Sequence, residues 1–218
     1  TEKEEGLSPN SPDGIWEGHN KVGLFPNSLY LAQLNERHRV SRETIQGLIV
    51  DRERPELIKN ANHFLGLPPK TITAYQSERS SGGLHDYYSE GTYWWPNPND
   101  PEGAYIRRDG ETNPNNFDYH RIVLENFSYQ VGVLLSAYLI TEDARYLNKV
   151  INHLEAWFVH KETKMNPHLL YAQAIQGISK GRGIGIIDTG HLVDVARVVE
   201  ILRDNHLVPL NRLEPVIS

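Results

Sequence analysis

The sequence predicts an all-α chain of antiparallel helix pairs joined by long irregular loops. Three observations lead there. Residues 118–140 are largely apolar and 141–160 carry helical apolar spacing, with almost no loop between them. No set of segments shows a convincing strand pattern. Two long stretches, 70–116 and 164–188, are polar or rich in Gly and Pro and punctuate the helices.

Taken in order, residues 1–25 are polar and rich in Gly, Pro and Asn, and read as an N-terminal coil. "NSLYLAQLNERHR" follows, with Asn27 or Ser28 as N-cap and Tyr30, Leu31 and Leu34 on one face. "RETIQGLIVDRERPELIKNANHFLGLPP" gives one or two helices. Pro55 suits a first helical turn, and Gly66, Pro68 and Pro69 end the run. "DYHRIVLENFSYQVGVLLSAYLI" is apolar on most sides and predicts a buried helix. The next helix starts at Thr141 as N-cap and lines up Tyr146, Leu147, Val150, Ile151, Leu154, Trp157 and Phe158. Asp188 or Thr189 caps a further helix through "HLVDVARVVEILRDN", and "LNRLEPVIS" begins another. Residues 26–218 thus form one helical domain. Helix pairs of this kind each leave an apolar face for a neighbouring pair to cover.

Composition narrows the function. Apolar residues make up 39% and charged residues 23%, enough for a core. The net charge of −6 excludes a general nucleic-acid binder. Cysteine is absent, which excludes disulfides and thiolate chemistry. No apolar run reads as a membrane span. Ten histidines form no His-Glu-x-x-His pattern, so no metal is expected, although His191 and Asp194 stand one turn apart. The glycines of "GISKGRGIGIID" complete neither a dinucleotide fingerprint nor a Walker loop. They make a tight backbone turn, or one that aims Arg182 into a cleft.

The stretch "HDYYSEGTYWWPNPNDPEGAYIRRDGETNP" is the strongest functional signal. A loop rich in Tyr and Trp offers flat faces to sugar rings, and guanidinium forks match carboxylates. Arg79, Arg107, Arg108 and Arg182 all fall in such loops, which points to an acidic polysaccharide. The plainer alternative is that Trp94 and Trp95 plug the loop onto its own core while the arginines pair with Asp100, Asp109 and Glu111. Two of the loop acids Asp86, Glu90, Asp100, Asp109 and Asp188 facing each other would instead make a glycosidase. A non-catalytic glycan-binding module is the third reading.

That stretch, together with "LSAYLITEDARYLNKVINHLEAWF" and "MNPHLLYAQAIQGISKGRGIGIIDT", resembles the alginate lyase family over roughly residues 25–210. The resemblance implies an α/α toroid, here an incomplete ring of helix hairpins. It implies β-elimination on a uronic-acid polysaccharide, alginate or a related polyuronate, with no cofactor and a periplasmic or secreted location. It makes residues 70–116 a substrate loop, with Tyr87, Trp94, Trp95, Arg107, Asn166, Tyr171, Gln173 and Arg182 as substrate contacts. The family's Asn-Asn-His motif has no match, since Asn115-Asn116 precedes Phe117. The expectation is therefore an N-terminal portion that needs a missing half, or an oligomer, to cover its last helix face. His85, Tyr88 and Tyr93 are the candidates for base or acid within it.

Overall fold

The computed structural model describes residues 53–217. The expected coil over 1–25, the helix at 27–39 and the beginning of the 42–69 segment lie outside the described residues. Five α-helices are present among the described residues: α1 (Glu53–Leu65), α2 (Tyr119–Thr141), α3 (Ala144–Phe158), α4 (Leu192–Asp204) and α5 (Leu210–Ile217).

The central helix is α2, which packs against α1, α3 and α4. It buries Val123, Leu124, Phe127, Val131, Leu134 and Leu135, as its nearly all-round apolar sequence requires. By length and composition α2 is long enough to cross a membrane, which corrects the sequence expectation. In this fold it is the core helix. Two residues, Glu142 and Asp143, join it to α3. Glu142 adopts the left-handed conformation (φ 60°) and its N–H reaches the Tyr138 carbonyl at 2.7 Å. The cap of α3 is Asp143, whose Oδ1 accepts from the Arg145 N–H at 2.9 Å. Thr141 is not the cap because it still belongs to α2, its hydroxyl donating to the Ala137 carbonyl at 2.7 Å. Phe127, early in α2, stacks on Trp157, late in α3, with ring centroids 4.7 Å apart. The two helices are therefore antiparallel.

Four short strands correct the expectation of a strandless chain. β1 (Tyr88–Glu90) and β4 (Tyr171–Ala174) form a parallel ribbon. β2 (Trp94–Trp95) and β3 (Ile106–Arg107) form an antiparallel hairpin, pairing Trp94 with Arg107 and Trp95 with Ile106. Strands of two to four residues are too short to show an alternation, and β1 meets its partner only across the whole α2–α3 hairpin. The aromatic stretch is thus folded onto the body of the protein. Asn113 helps to fix it, its amide donating to the Trp94 carbonyl at 2.8 Å.

The glycine-rich segment winds into a 3₁₀ helix, Gly183–Thr189, before α4. His191 occupies the N-cap position of α4, with no side-chain cap bond. Asp188, expected there, is instead buried three residues earlier in the network described below. Ile184, Ile186, Ile187 and Val193 stand exposed beside it. Val193, with Phe158, Leu192 and Val216, lines a groove of about 610 Å³ between α3, α4 and α5.

Candidate functional site: the ribbon and its arginines

Alternate side chains of a strand reach opposite sides, and β1 uses both. On one side, Glu90 is only 7% exposed. Its two carboxylate oxygens accept from Nε and Nη2 of Arg79, each at 2.7 Å. The Phe117 N–H and the Tyr88 hydroxyl also donate to it at 2.7 Å. Burial alone would raise this carboxyl's pKa, but these donors outweigh it and hold Glu90 below the usual range. Tyr88 accepts a further bond from Gln176 Nε2 at 2.9 Å. Burial and the Glu90 carboxylate push the Tyr88 phenol upward, so its proton stays on oxygen. The Tyr88 N–H donates to Nδ1 of His120 at 2.9 Å. That leaves Nε2 of His120 as the donor to the Tyr75 carbonyl at 2.9 Å, and burial keeps the ring neutral.

On the other side, buried Asp188 accepts from the Ser89 hydroxyl, from Gln173 Nε2 at 3.0 Å and from the Tyr87 hydroxyl at 3.3 Å. Ser89 Oγ in turn accepts the Gln173 N–H at 2.8 Å. Gln173 is a non-glycine residue at φ 55°, a conformation that costs on the order of 1–3 kcal/mol and persists only when its surroundings impose it. Here it aims two acceptors at Arg182: the guanidinium Nε donates to the Gln173 carbonyl at 2.7 Å and Nη2 to its Oε1 at 3.3 Å. Gly91 lies opposite. A Cβ there would come within 2.6 Å of the Trp94 ring and 2.9 Å of Arg182 Nη2, so only glycine lets the indole and the guanidinium sit where they do. Burial and the nearby Arg107 charge lower the Arg182 pKa. Arg182 makes no ion pair among the described residues, and the Arg107–Asp109 pair at 2.9 Å is exposed at both ends.

A held guanidinium, a second one beside it and an indole face make a place for a sugar carboxylate. Comparison with known proteins agrees. The alginate lyase family model matches residues 71–210. This chain belongs to the alginate lyase family. A crystal structure of an alginate lyase from Bacteroides ovatus is similar, with 34% identity and a TM-score of 0.63. The match covers 74% of this chain and 43% of that lyase, so the chain spans less than half the relative's length. No curated protein matches.

Of the site residues expected from the sequence, the family fold brings Trp94, Arg107, Gln173 and Arg182 together. A second group gathers at the ribbon's rim. There Asp86 accepts from Asn166 Nδ2 at 2.7 Å and the Gly83 N–H at 2.8 Å, and lies 3.1 Å from Nε2 of His168. Burial works against its charge, yet these partners hold its pKa below the usual range. His85 bonds the Lys164 carbonyl there through Nδ1 at 2.7 Å, and Tyr171 sets its ring edge-on to His168. Tyr87 is in the core, 0% exposed, and reaches the site from behind, through its bond to Asp188 and its packing on His120. Trp95 is held by the hairpin: its Nε1 donates to the Glu111 carbonyl at 2.9 Å and Arg108 lies 4.9 Å over its ring. Tyr93 is exposed on the same hairpin.

The remaining chemistry is accounted for locally. His191 pairs with Glu125 at 3.2 Å and Asp194 with Arg197 at 3.2 Å, so the two do not share a metal position. Among the described residues no group of three or more His, Asp or Glu could hold a metal ion. Glu90 and Asp188 reach opposite sides of the ribbon and each is saturated with donors, so they do not form a hydrolytic pair. The sequence reading passed over Ser89 and Gln176 and did not see Glu90 as a clamp. An acid two residues after a tyrosine, with an arginine eleven residues before it, carries no motif.

Proposed function

We propose that this chain forms one wall of the binding cleft of a polysaccharide lyase, an α/α toroid that cleaves a polyuronate by β-elimination. The observation that carries the reading is Arg182, aimed by a strained Gln173 and set against Trp94 and Arg107. A uronate carboxylate in that place would receive the free edge of the Arg182 fork while its ring lies on the indole. Neutralising that carboxylate makes the neighbouring C5 proton acidic. A base then takes the proton, the C4=C5 double bond forms, the C4–O bond breaks, and the departing oxygen takes up a proton. Tyr88 does not act as the base in this scheme, because its hydroxyl is committed to Glu90 and Gln176. Tyr93 and His85 remain as groups near the cleft. The apolar groove along α4 fits the same reading as the face on which further helices of the ring pack. A polymeric substrate places the protein in the periplasm or outside the cell.

The test is ultraviolet absorbance of the unsaturated product, followed with alginate and glucuronan, for this chain and for one extended beyond Ser218. A rise with either chain supports elimination. New reducing ends without absorbance would replace the lyase by a hydrolase.

A further inference from the structure

We infer that the cavity of about 320 Å³ on the Tyr88 side of the ribbon is a second carboxylate subsite, taking one uronate unit of the polymer. It rests on the polyuronate reading above and adds a position that the Arg182 cluster does not contain. The cavity is lined by Arg79, Ser81, Tyr88, Gln176, Ser179 and Lys180, with the 174–178 turn as its far wall. Its size is at the low end of pockets for small organic ligands, which run from about 300 Å³.

The charge count selects the ligand. Glu90 cancels the charge of Arg79, and the two stay locked by the paired 2.7 Å bonds. Lys180 has no ion-pair partner among the described residues. The cavity therefore carries one net positive charge, suited to a monoanion such as a carboxylate. Arg79 is also pre-aimed. Its Nε and Nη2 are used by Glu90 and the Asn115 carbonyl. Nη1 has no acceptor among the described residues, so a donor held rigid from behind faces the cavity. Gln176 gives Nε2 to Tyr88 and keeps Oε1 for a sugar hydroxyl.

The cavity wall is stiff. Ile175 and Ser179 exchange backbone bonds of 2.8 and 2.9 Å across the turn. Gly177, at φ 74°, packs on Ala104, and Gln176 accepts the Tyr105 N–H at 3.0 Å. The turn is thus bolted to the β2–β3 hairpin that carries Arg107, which fixes the two subsites relative to each other. Because β1 alternates, they lie on opposite sides of the ribbon. A polymer engaging both must bend around the 175–181 turn.

The experiment is calorimetric titration of the full 218-residue chain with a mannuronate trimer, repeated with Lys180→Glu, Ser81→Trp and Arg182→Ala. Both altered residues of the cavity are exposed, and folding is checked by circular dichroism. Each cavity variant is expected to weaken binding about tenfold, the loss of one charge-assisted contact. Lys180→Glu in an Arg182→Ala background is expected to weaken it further. Binding unchanged within about twofold in folded Ser81→Trp would sink the subsite alone. No binding by the unaltered chain of this trimer or of a glucuronate trimer would sink the polyuronate reading and the subsite with it.

Discussion

Replacing Glu90 by Gln tests the clamp that shapes one side of the ribbon. The side chain is nearly isosteric, so packing is kept while the charge goes. Four donors then face a neutral amide: two from Arg79, one from the Phe117 N–H and one from the Tyr88 hydroxyl. The amide nitrogen can accept from none of them. Removing one partner of a fully buried pair costs about 3–5 kcal/mol. The Arg79 side chain is 40% exposed and regains water, which lowers the expected cost to about 3 kcal/mol. For a domain of this size that is a fall in Tm of roughly 6–12 °C. The pH dependence has a definite sign. Glu90 is depressed in the fold, so its stabilisation is present above the ordinary glutamate value of 4.5 and fades as pH falls below it. Thermal melts at pH 7 and pH 3.5 should therefore separate the two proteins widely at pH 7 and by less at pH 3.5. A fall of less than 2 °C at pH 7 would refute the clamp.

Three further outcomes are expected. His153 is 1% exposed between α2 and α3, with neither ring nitrogen partnered among the described residues, and burial with the nearby Lys149 lowers its pKa to about 4. Its neutral form is stabilising above the unfolded value of 6.5 and is lost as pH falls toward 4; His153→Phe should therefore retain about 3 kcal/mol that the unaltered chain loses over that range, read by urea midpoints. Gly181→Ala drives a methyl into the Leu170 carbonyl oxygen and should cost about 2 kcal/mol or more, whereas Gly183→Ala meets open space and should stay within about 0.5 kcal/mol in the same urea titration. Arg182→Lys keeps the charge but loses the fork on Gln173, and should weaken mannuronate-trimer binding about tenfold with an unchanged far-ultraviolet spectrum; an unaltered affinity would remove Arg182 from the site.

The helices were legible because their signals are local. Helix α2 is apolar on nearly all sides, and the apolar face of α3 repeats every three to four residues, a spacing that alone places Trp157 against the core. The α3 cap was misplaced by two residues because Thr141 and Asp143 are both good cap residues. Only the fold shows that Thr141 bonds back along α2. Of the site, Arg182, Gln173, Trp94 and Arg107 were legible as residue types that suit an acidic sugar. Their meeting was not, since it depends on Gly91 and on the left-handed turn at Gln173. Tyr87 is expected from its aromatic loop to contact substrate, and Tyr88 to serve as base or acid. Strand alternation and the packing of α2 instead bury both. Ser89, Glu90 and Asp188 act through partners far away in sequence, and no local pattern encodes such pairs.

The β1–β4 ribbon joins segments whose bonded residues, Ser89 and Gln173, are 84 positions apart. Closing so long a loop carries an entropic cost that the few bonds of a three-residue strand do not offset by themselves. The α2–α3 hairpin, made of neighbours in sequence, is expected to form first and bring the two ends close. The site is therefore expected to assemble after the helical core and to open before it. In native-state hydrogen exchange the amides of Gly91, Gln173 and Arg182 should trade their protons well before those in the middle of α2. The protein can lose its grip on a ligand while most of its helices remain intact.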